Sequence, residues 1–522
     1  MRERIDNPIL PGFYPDPSIC RVEEDYYLVT STFAYFPGVP IFHSRDLVHW
    51  EQIGNILDRK SQLDLTEVRH SEGIFAPTLR YNKGTFYMIT TNVGHGGNFI
   101  VTSENPAGPW SDPYFIKNAE GIDPSLFFDD DGKCYYTGTK DRREGAAYYG
   151  DNEIWLQELD LNTMSLVGES YALWHSALKD AVWPEGPHIY KKDGRYYLLI
   201  AEGGTGHEHA VTIASSDCLT KPFVGHKCNP ILTHRHLGHD YPIVNVGHAD
   251  LVETQKGEWY MVVLASRPYG GYYRNLGRET FLVPLVWEDG WPVINPGIGL
   301  LEDTVIVPDL PSQLAISPSE KEEFDDDSIP YNFMYLRNPN FSNYRLDERK
   351  GHLRLKAAPE TITELSSPTF VCIRQTGISF EYEASMQFTP ISDEDEAGIV
   401  ILQSNCFNYR MVCTLRENFK VVMLIKCQDG REEVVNQISI EDIHRNQSPI
   451  RLRLIADKQE LQFAFSYDGY SYHIVKAGVD ARILSSDVAG GFVGNTIGIY
   501  CSSNGQPSEA YADFDWVSYK NL

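Results

Sequence analysis

Five related segments recur along roughly the first 300 residues, and this repeat constrains the fold more than any other feature of the chain. Each segment opens with a short polar or proline-bearing stretch, followed by an apolar strand, a charged or glycine-containing turn and an aromatic strand. The segments begin 47 to 63 residues apart and read YPDPSICRVEEDYYLVT, FAPTLRYNKGTFYMIT, IDPSLFFDDDGKCYYTG, PEGPHIYKKDGRYYLLI and VGHADLVETQKGEWYMVV. About four strands in each of five consecutive units is the pattern of a five-bladed β-propeller.

A different composition follows the repeats. The stretch PDLPSQLAISPSEKEEFDDDSIP is rich in proline, serine and charge, which is typical of a linker. Beyond it, IRLRLIADKQELQFAFSYDG alternates apolar and polar residues on both arms of a predicted hairpin. The sequence therefore predicts an all-β protein, with a five-bladed propeller at 1–310, a linker at 311–330 and an antiparallel, concanavalin-like β-sandwich at 331–522.

Charge and cysteine usage restrict the partners and the compartment. The net charge of −27 opposes binding to nucleic acid and to anionic membranes. The N-terminal stretch MRERIDNPIL lacks the apolar core of a signal peptide, and no later run is long enough to span a bilayer. Nine cysteines without paired spacing favour reduced thiols. We therefore expect a cytoplasmic protein that binds neither nucleic acid nor membranes, and the sequence leaves a homo-oligomer open.

Equivalent positions of the repeats are expected to converge, because the innermost strand of each blade runs along one central channel. Aligning the five openings superimposes Asp16, Ala76, Asp123, Glu185 and His248. Three carboxylates and one histidine from four blades are therefore predicted to surround one small space. The alternative is that Asp16 and Asp123 begin turns, as Asp-Pro pairs commonly do, and that Glu185 forms a surface ion pair.

Three convergent carboxylates point to glycoside hydrolysis. In that reaction one protonated carboxyl donates to the leaving oxygen, while one ionised carboxylate activates water or attacks carbon. Glu185 has the longer reach and suits the proton donor. Asp16 is held between Pro15 and Pro17 and suits a fixed base. A third carboxylate nearby, Asp123, keeps the pKa of the acid raised because like charges disfavour ionisation.

Two further polar residues are candidates for this space. His248 is either a ligand for a single ion in the channel or a hydrogen-bonded buried histidine. Arg278 either binds sugar hydroxyls and restrains the base carboxylate, or forms an ordinary structural ion pair.

Aromatic residues close to the repeat openings are candidate walls of a sugar pocket. They are Phe33, Phe75 and Trp183, and the chain is rich in such residues, with 31 tyrosines and 12% aromatics. The alternative is that they belong to the core, as most aromatic residues in strands do.

Histidine-rich stretches suggest a zinc-dependent hydrolase as another alternative. Their spacing is not that of a tetrahedral zinc site. The members are His207, His209, His234, His236 and His239.

At these residues the chain resembles glycoside hydrolase family 43, in particular its β-xylosidases and α-L-arabinofuranosidases that carry a C-terminal sandwich. The resemblance is carried by NPILPGFYPDPSICRV, STFAYFPGVPIFHSRDLVHW, GIDPSLFFDDDG, EGPHIYKKDG, EGGTGHEHAVTIA, NVGHADLVET and LGRETFLVP. It implies a five-bladed propeller and hydrolysis with inversion, for which the base and acid carboxyls lie about 6.5–9.5 Å apart.

The resemblance also implies individual roles. Asp16 matches the general base of the family, Asp123 its pKa-modulating aspartate and Glu185 its general acid. His248 matches a histidine that in many relatives points towards a calcium or similar ion, and Arg278 matches a substrate-contacting arginine. At Phe75 the family often has tryptophan.

Together these features predict an exo-acting, inverting glycosidase that releases terminal xylose, and also arabinose, from short oligosaccharides in the cytoplasm. No cofactor is required for this chemistry, although a single Ca²⁺ or similar ion in the channel is compatible with it. One alternative is an enzyme that is mainly an α-L-arabinofuranosidase. Another is a non-catalytic carbohydrate-binding propeller. We further expect loops of the sandwich to close the pocket.

Overall fold

The computed structural model describes residues 4–313, 319–440 and 448–522. Strands dominate all three ranges, and within them the only α-helix is α1, Ser486–Ala489. Short 3-10 turns lie at Arg235–Leu237, Phe341–Asn343 and Ala481–Leu484. The predicted all-β class is confirmed.

Within the described residues 4–313, the chain forms 23 strands. They are β1 (Arg4–Asp6), β2 (Ser18–Val22), β3 (Asp25–Val29), β4 (Tyr35–Phe36), β5 (Gly38–Ser44), β6 (Glu51–Leu57), β7 (Ile74–Asn82), β8 (Thr85–Asn92), β9 (Gly97–Ser103), β10 (Tyr114–Phe115), β11 (Ile122–Phe128), β12 (Cys134–Asp141), β13 (Asn152–Asp160), β14 (Ser165–Trp174), β15 (Glu185–Lys192), β16 (Arg195–Glu202), β17 (Ala210–Ser216), β18 (Val224–Gly225), β19 (Val244–Glu253), β20 (Trp259–Ser266), β21 (Glu279–Glu288), β22 (Trp291–Ile294) and β23 (Thr304–Ile306).

Twenty of these strands form five four-stranded antiparallel sheets, which confirms the predicted five blades. The first blade is β2-β3-β5-β6, and the others are β7 to β10, β11 to β14, β15 to β18 and β19 to β22. The first strand of each blade contacts the first strand of the next, and β19 returns to β2. The five innermost strands therefore close a ring around one channel.

The N-terminal segment joins the two ends of the propeller. Strand β1 pairs with β23, so the chain start lies beside the end of the last blade. Leu10 and Thr280 exchange backbone hydrogen bonds, and the Asn7 side chain both donates to and accepts from the backbone of Leu282. These contacts hold the first and fifth blades together.

The remaining strands form the second domain. They are β24 (Lys321–Glu322), β25 (Met334–Leu336), β26 (Tyr344–Arg345), β27 (Leu353–Lys356), β28 (Thr369–Arg374), β29 (Phe380–Phe388), β30 (Glu396–Ser404), β31 (Phe407–Arg416), β32 (Phe419–Gln428), β33 (Arg431–Ser439), β34 (Ile450–Asp457), β35 (Glu460–Ser466), β36 (His473–Asp480), β37 (Thr496–Ser502) and β38 (Tyr511–Asn521).

Two eight-stranded antiparallel sheets build this domain, as predicted for a sandwich. One sheet runs β26-β27-β38-β29-β34-β35-β36 with β24 beside β38, and the other runs β33-β32-β31-β30-β37-β28-β25-β4. In the predicted hairpin, β34 pairs with β35 and opposes Leu452 to Phe465 and Leu454 to Phe463. All four side chains are buried, because period-2 alternation places them on the face that meets the other sheet.

The second sheet of the sandwich extends into the propeller. Strand β4 follows β3 and precedes β5 in the sequence, but it pairs with β25 of the second domain rather than with the first blade. Buried side chains of both domains form one continuous apolar core there. The two domains therefore share a strand pairing as well as side-chain contacts.

The predicted linker, 311–330, is only partly described. Residues 314–318 lie outside the described residues. Within the rest of it, β24 pairs with the last strand of the sandwich. The boundaries 1–310 and 331–522 stay predictions. No helix in the described ranges combines the length and the apolar character needed to cross a bilayer.

Candidate active site

The ring predicted from the repeats is present at the openings of the innermost strands. Asp123 Oδ2 accepts a hydrogen bond from the Gly186 amide at 3.1 Å, which joins the third blade to the fourth. His248 Nδ1 lies 3.8 Å from Asp16 Oδ1, which joins the fifth blade to the first. Asp16, Asp123 and His248 are buried by their neighbours. Residues far apart in the sequence therefore surround one small space.

Local backbone geometry aims these side chains into the channel. Asp16, Asp123 and His248 have φ values of 56°, 54° and 48°, in the left-handed region that few non-glycine residues adopt. In the fourth blade Gly186 takes this conformation, at φ 57°, one residue after Glu185. A Cβ atom on Gly186 would lie 2.9 Å from the His248 ring, so glycine is required there.

Bulges in the innermost strands accompany this geometry. The pairing register shifts at the start of β7, β11, β15 and β19. A bulge adds an unpaired residue to one strand and turns its side chain to a new direction. Left-handed backbone at non-glycine residues costs on the order of 1–3 kcal/mol each, and such strain concentrates at functional sites.

Asp16 is held ionised. Arg278 Nη1 donates to its Oδ1 at 2.9 Å, and Ser31 Oγ donates to its Oδ2 at 2.7 Å. Burial alone would raise the pKa of Asp16, but the Arg278 charge, His248 and the Ser31 hydroxyl outweigh burial and leave the pKa below its usual value. An ionised, fixed carboxylate can accept a proton from water.

The pKa values of Asp123 and Glu185 are raised, in contrast to that of Asp16. Burial is the main cause that raises the pKa of Glu185 well above its usual value, and the nearby Asp123 and Asp16 raise it further. Burial and the Asp16 charge also raise the pKa of Asp123, against the opposing effect of His248. Glu185 therefore keeps its proton to a higher pH than an ordinary carboxyl and can donate it. Two carboxyls with pKa values displaced in opposite directions can serve as acid and base.

Phe33 and Phe75 pack together beside the ring. Their ring centroids are 5.5 Å apart, and each lies about 6 Å from a third ring, Phe492 of the sandwich domain. The Arg278 guanidinium lies 5.5 Å from the Phe33 centroid and 5.4 Å from that of Phe492. Phe33 is fully buried and Phe75 half-buried, while Phe492 is 39% exposed. The aromatic wall therefore includes a residue of the second domain.

Trp183 stands on another side of the same space. It is 37% exposed, and a Cβ atom on Gly204 would lie 2.6 Å from its ring, so the indole lies directly against the Gly204 backbone. Trp183 and the exposed Tyr149 form a T-shaped contact at a centroid distance of 5.4 Å. This packing leaves part of the indole surface free for contact with a ligand.

A cavity of about 310 Å³ lies between these elements. Its volume is at the low end of the usual range for small-molecule sites. Residues of both domains line it, including Trp183, Gly204, Thr205 and Arg278 from the propeller and Ser486 and Phe492 from the sandwich. The expectation that the sandwich contributes to the pocket wall agrees with this lining.

Several contacts fix the sandwich segment that carries Phe492. The Phe492 amide donates to Ser71 Oγ at 2.9 Å. Arg274 and Asp487 form an ion pair at 2.7 Å. The Asn495 amide donates to the Asn275 carbonyl at 2.9 Å. This segment is therefore anchored to the propeller on both sides of Phe492.

Two of the five histidines of the zinc alternative are held by backbone groups. His234 Nδ1 bonds to the Ile243 carbonyl, and its Nε2 accepts from the Leu301 amide. His209 Nδ1 donates to the Asn245 carbonyl at 3.0 Å. In the described part of the chain, no three or more His, Cys, Asp or Glu residues are grouped so that they could hold a metal ion.

The predicted channel ion at His248 is likewise not supported by a ligand cage. Ca²⁺ takes six to eight oxygen ligands, whereas His248 offers one ring nitrogen. The described residues do not fit a protein-held ion at this place, although the ion stays an untested prediction.

Some residues of the site have no signal in the sequence. Phe492 lies in the other domain, outside every repeat, so no alignment of blade openings could find it. Ser31 and Thr205 lie within motifs quoted above, but only their hydrogen bonds to Asp16 and Arg278 identify them as parts of the site.

Comparisons with known proteins agree with the fold. The family model described as glycosyl hydrolases family 43 matches residues 5–292. The model of the beta-xylosidase C-terminal concanavalin A-like domain matches residues 321–520.

Relatives match over the whole length. A xylosidase/arabinosidase of Butyrivibrio fibrisolvens is 49% identical, over 99% of both chains. A non-reducing-end α-L-arabinofuranosidase of Bacteroides ovatus is 38% identical, over 99% of this chain and 94% of the relative. The crystal structure of a xylan β-1,4-xylosidase from Bacillus halodurans superposes with a TM-score of 0.93 at 36% identity, over 99% of this chain and 100% of the other. The chain therefore belongs to glycosyl hydrolase family 43 and is a glycoside hydrolase.

Proposed function

We propose that the protein is an exo-acting, inverting β-xylosidase that releases terminal xylose, and also arabinose, from short xylo- or arabinoxylo-oligosaccharides. The observation that carries this proposal is the opposite displacement of two pKa values in one buried ring. Arg278 keeps the pKa of Asp16 below its usual value, whereas burial and Asp123 raise the pKa of Glu185 well above its usual value. An acid and a base in one pocket are what glycoside hydrolysis requires.

The residues divide the reaction between them. Glu185 donates its proton to the glycosidic oxygen while the bond from that oxygen to the anomeric carbon breaks. Asp16 accepts a proton from a water molecule, whose oxygen forms the new bond to the anomeric carbon from the opposite face. Asp123 keeps the pKa of Glu185 raised, and Arg278 keeps Asp16 ionised. Attack from the opposite face inverts the anomeric configuration.

The shape of the pocket favours action on chain ends. A sandwich segment, anchored at Asp487 and Asn495, places Phe492 against the ring. A cavity of about 310 Å³ bounded in this way suits a terminal sugar better than the middle of a polymer.

An enzyme that acts mainly on α-L-arabinofuranosides is the second candidate. The relatives support it, because one is named an α-L-arabinofuranosidase and another a xylosidase/arabinosidase. The two pentosides present similar hydroxyl positions near the scissile bond. Values of kcat/KM for p-nitrophenyl β-D-xyloside and p-nitrophenyl α-L-arabinofuranoside, measured with the same enzyme, decide between the two.

A cytoplasmic location is also part of the proposal. All nine cysteines are free thiols, which suits a reducing compartment. Cell fractionation with antibodies against the protein tests the location. The oligomeric state needs a separate measurement, by light scattering on the purified chain.

Proton NMR of the freshly released sugar tests the proposed reaction. With p-nitrophenyl β-D-xyloside as substrate, which releases a single xylose per turnover, we expect α-xylose to appear first and to equilibrate later with the β-anomer. A first product in the β configuration would overturn both inversion and the assignment of Asp16 as base. Arabinose release without xylose release would leave the second candidate as the function.

A further inference from the structure

A second layer of polar residues crosses the channel next to the candidate catalytic ring. On the innermost strands, Ser18, Ser125 and Asp250 each follow a ring residue by two positions. A strand rises about 3.3 Å per residue, so residues two positions apart lie within about 7 Å of each other. This second layer is therefore next to Asp16, Asp123 and His248 in the channel, and the pKa of His188 within it responds to His248.

Arg80 of the second blade is the centre of this layer. Its Nη1 donates to Asp250 Oδ2 at 2.8 Å, and its Nη2 donates to Asp250 Oδ1 at 3.1 Å, which is a two-point pair with the fifth blade. Nη1 also donates to Ser18 Oγ of the first blade at 3.2 Å. Nη2 donates to His188 Nδ1 of the fourth blade at 3.0 Å. One guanidinium thus reaches three other blades.

The partners of Arg80 extend the network to the remaining blade. Ser125 Oγ of the third blade bonds to His188 Nδ1 at 3.0 Å. Ser18 Oγ donates to Asp250 Oδ2 at 2.8 Å, and Tyr190 Oη donates to Asp250 Oδ1 at 2.5 Å. The Asp250 side chain is completely buried. All five blades therefore meet in one buried network around the Arg80–Asp250 pair.

The contact with Arg80 fixes which nitrogen of His188 carries the hydrogen. A guanidinium can only donate, so His188 Nδ1 must carry the lone pair and its buried Nε2 the hydrogen. Burial and the neighbouring Arg80 and His248 lower the pKa of His188 to about 3, against the opposing effect of Asp250. His188 is consequently neutral and presents an N–H rather than a lone pair.

We propose that the Arg80 guanidinium is the resident cation of the propeller channel and a positioning group for the catalytic ring. Together with Asp250, it connects the five innermost strands through hydrogen bonds, next to the ring of Asp16, Asp123, Glu185 and His248.

The chemistry of the layer disfavours a metal ion at the same place. A divalent cation would face the Arg80 charge and the His188 N–H, and Asp250 already uses both oxygens for Arg80, Ser18 and Tyr190. The described residues also provide no group of three or more His, Cys, Asp or Glu ligands. The metal test below does not depend on the substrate, whereas the kinetic test rests on the proposed pentosidase activity.

The metal test needs no activity. The purified full-length chain is dialysed, its metal content is measured by plasma mass spectrometry, and its Tm is recorded with EDTA and with added Ca²⁺. We expect less than stoichiometric metal and the same Tm in both conditions. One equivalent of divalent metal per chain, together with a Tm that falls in EDTA, would overturn the proposal that Arg80 is the resident cation.

The positioning test compares Arg80→Met with a matched pair in the other domain. Arg410 and Glu396 form a buried ion pair in the sandwich, far from the channel, with Nε 2.9 Å from Oε1. Misplacement of a catalytic group by about 1 Å costs on the order of 100-fold in rate. At a temperature at which circular dichroism shows both variants folded, we expect Arg80→Met to lower kcat about 10- to 100-fold with little change in KM. Arg410→Met should leave both constants close to wild type.

A conservative variant keeps the proposal testable if Arg80→Met does not fold. Arg80→Lys retains the positive charge opposite Asp250 and should recover most of the kcat that Arg80→Met loses, or fold where Arg80→Met does not. An Arg80→Lys variant no better than Arg80→Met would overturn the role of the charge. Equal kcat losses in Arg80→Met and Arg410→Met would overturn positioning. Absence of pentosidase activity in the wild type would refute the proposed function and leave the metal test intact.

Discussion

Arg278 of the fifth blade donates a hydrogen bond to Asp16 of the first blade, with 2.9 Å between Nη1 and Oδ1, and both side chains are buried. The pair lies where the two ends of the propeller chain meet, beside the backbone bonds between Leu10 and Thr280. The same contact therefore serves closure of the ring and ionisation of the candidate base. Its removal should be visible in the pH dependence of the reaction.

The first prediction concerns the acidic limb of the pH profile. Without Arg278, burial dominates at Asp16 and its pKa rises, because an adjacent opposite charge accounts for about 1 to 3 units. In Arg278→Met, the acidic limb of kcat/KM on p-nitrophenyl β-D-xyloside should therefore move to higher pH by that amount. Arg278→Lys keeps a cation and should move it less. The same limb in all three enzymes would show that Asp16 is not the titrating base.

The second prediction is that an inactive variant is more stable than the wild type. The folded-state pKa of Glu185 is raised above its unfolded value, so its contribution to stability is complete below about pH 4 and is lost as the pH rises. The glutamine side chain of Glu185→Gln does not ionise, so this variant does not lose stability as the pH rises through the pKa of Glu185. Its Tm, measured by calorimetry, should exceed that of the wild type by a few degrees at neutral pH, and the two should converge near pH 4.

The exposed Glu24 provides the control for this comparison. Glu24→Gln changes the net charge equally and should leave Tm within about a degree of wild type at both pH values, because surface substitutions away from special features are usually within about 0.5 kcal/mol. A Tm advantage of Glu185→Gln that is the same at both pH values would contradict the raised pKa.

The third prediction separates a proton donor from a residue that only binds. Glu185→Ala should lose about 10²- to 10⁴-fold in kcat on xylobiose, whose leaving sugar needs a proton. The loss should be smaller on p-nitrophenyl β-D-xyloside, because nitrophenolate leaves without protonation. Binding of xylose, measured by calorimetric titration, should persist. Equal losses on the two substrates would contradict the role of Glu185 as general acid.

The repeat made most of the propeller and the ring predictable. Its five openings already align Asp16, Asp123, Glu185 and His248, because period and blade geometry place equivalent positions around one axis. The sandwich hairpin was predictable for a similar reason, since alternation with period 2 identifies the buried face of β34.

Contacts between domains could not be predicted in this way. The pairing of β4 with β25, and the position of Phe492 against Phe33, depend on how two separately patterned domains pack. Neither of these two contacts produces a periodic pattern in the sequence. The Arg80–Asp250 pair was predictable only in part. Both residues lie inside repeats, but the repeats do not show that the Arg80 side chain adopts a rotamer that reaches Asp250 across the channel.

The last prediction tests the contribution of the sandwich to the pocket. Phe492 packs against Phe33 and Phe75 and under the Arg278 guanidinium, at centroid distances near 6 Å. Aromatic contacts of this kind are worth about 0.5–1.5 kcal/mol beyond buried area, so Phe492→Ala should lower kcat/KM on xylobiose by about 2- to 13-fold. Phe419 of the same domain is 61% exposed, lies outside the cavity lining and serves as the control. Phe419→Ala should leave kcat/KM unchanged, and equal effects of the two variants would place the pocket wall in the propeller alone.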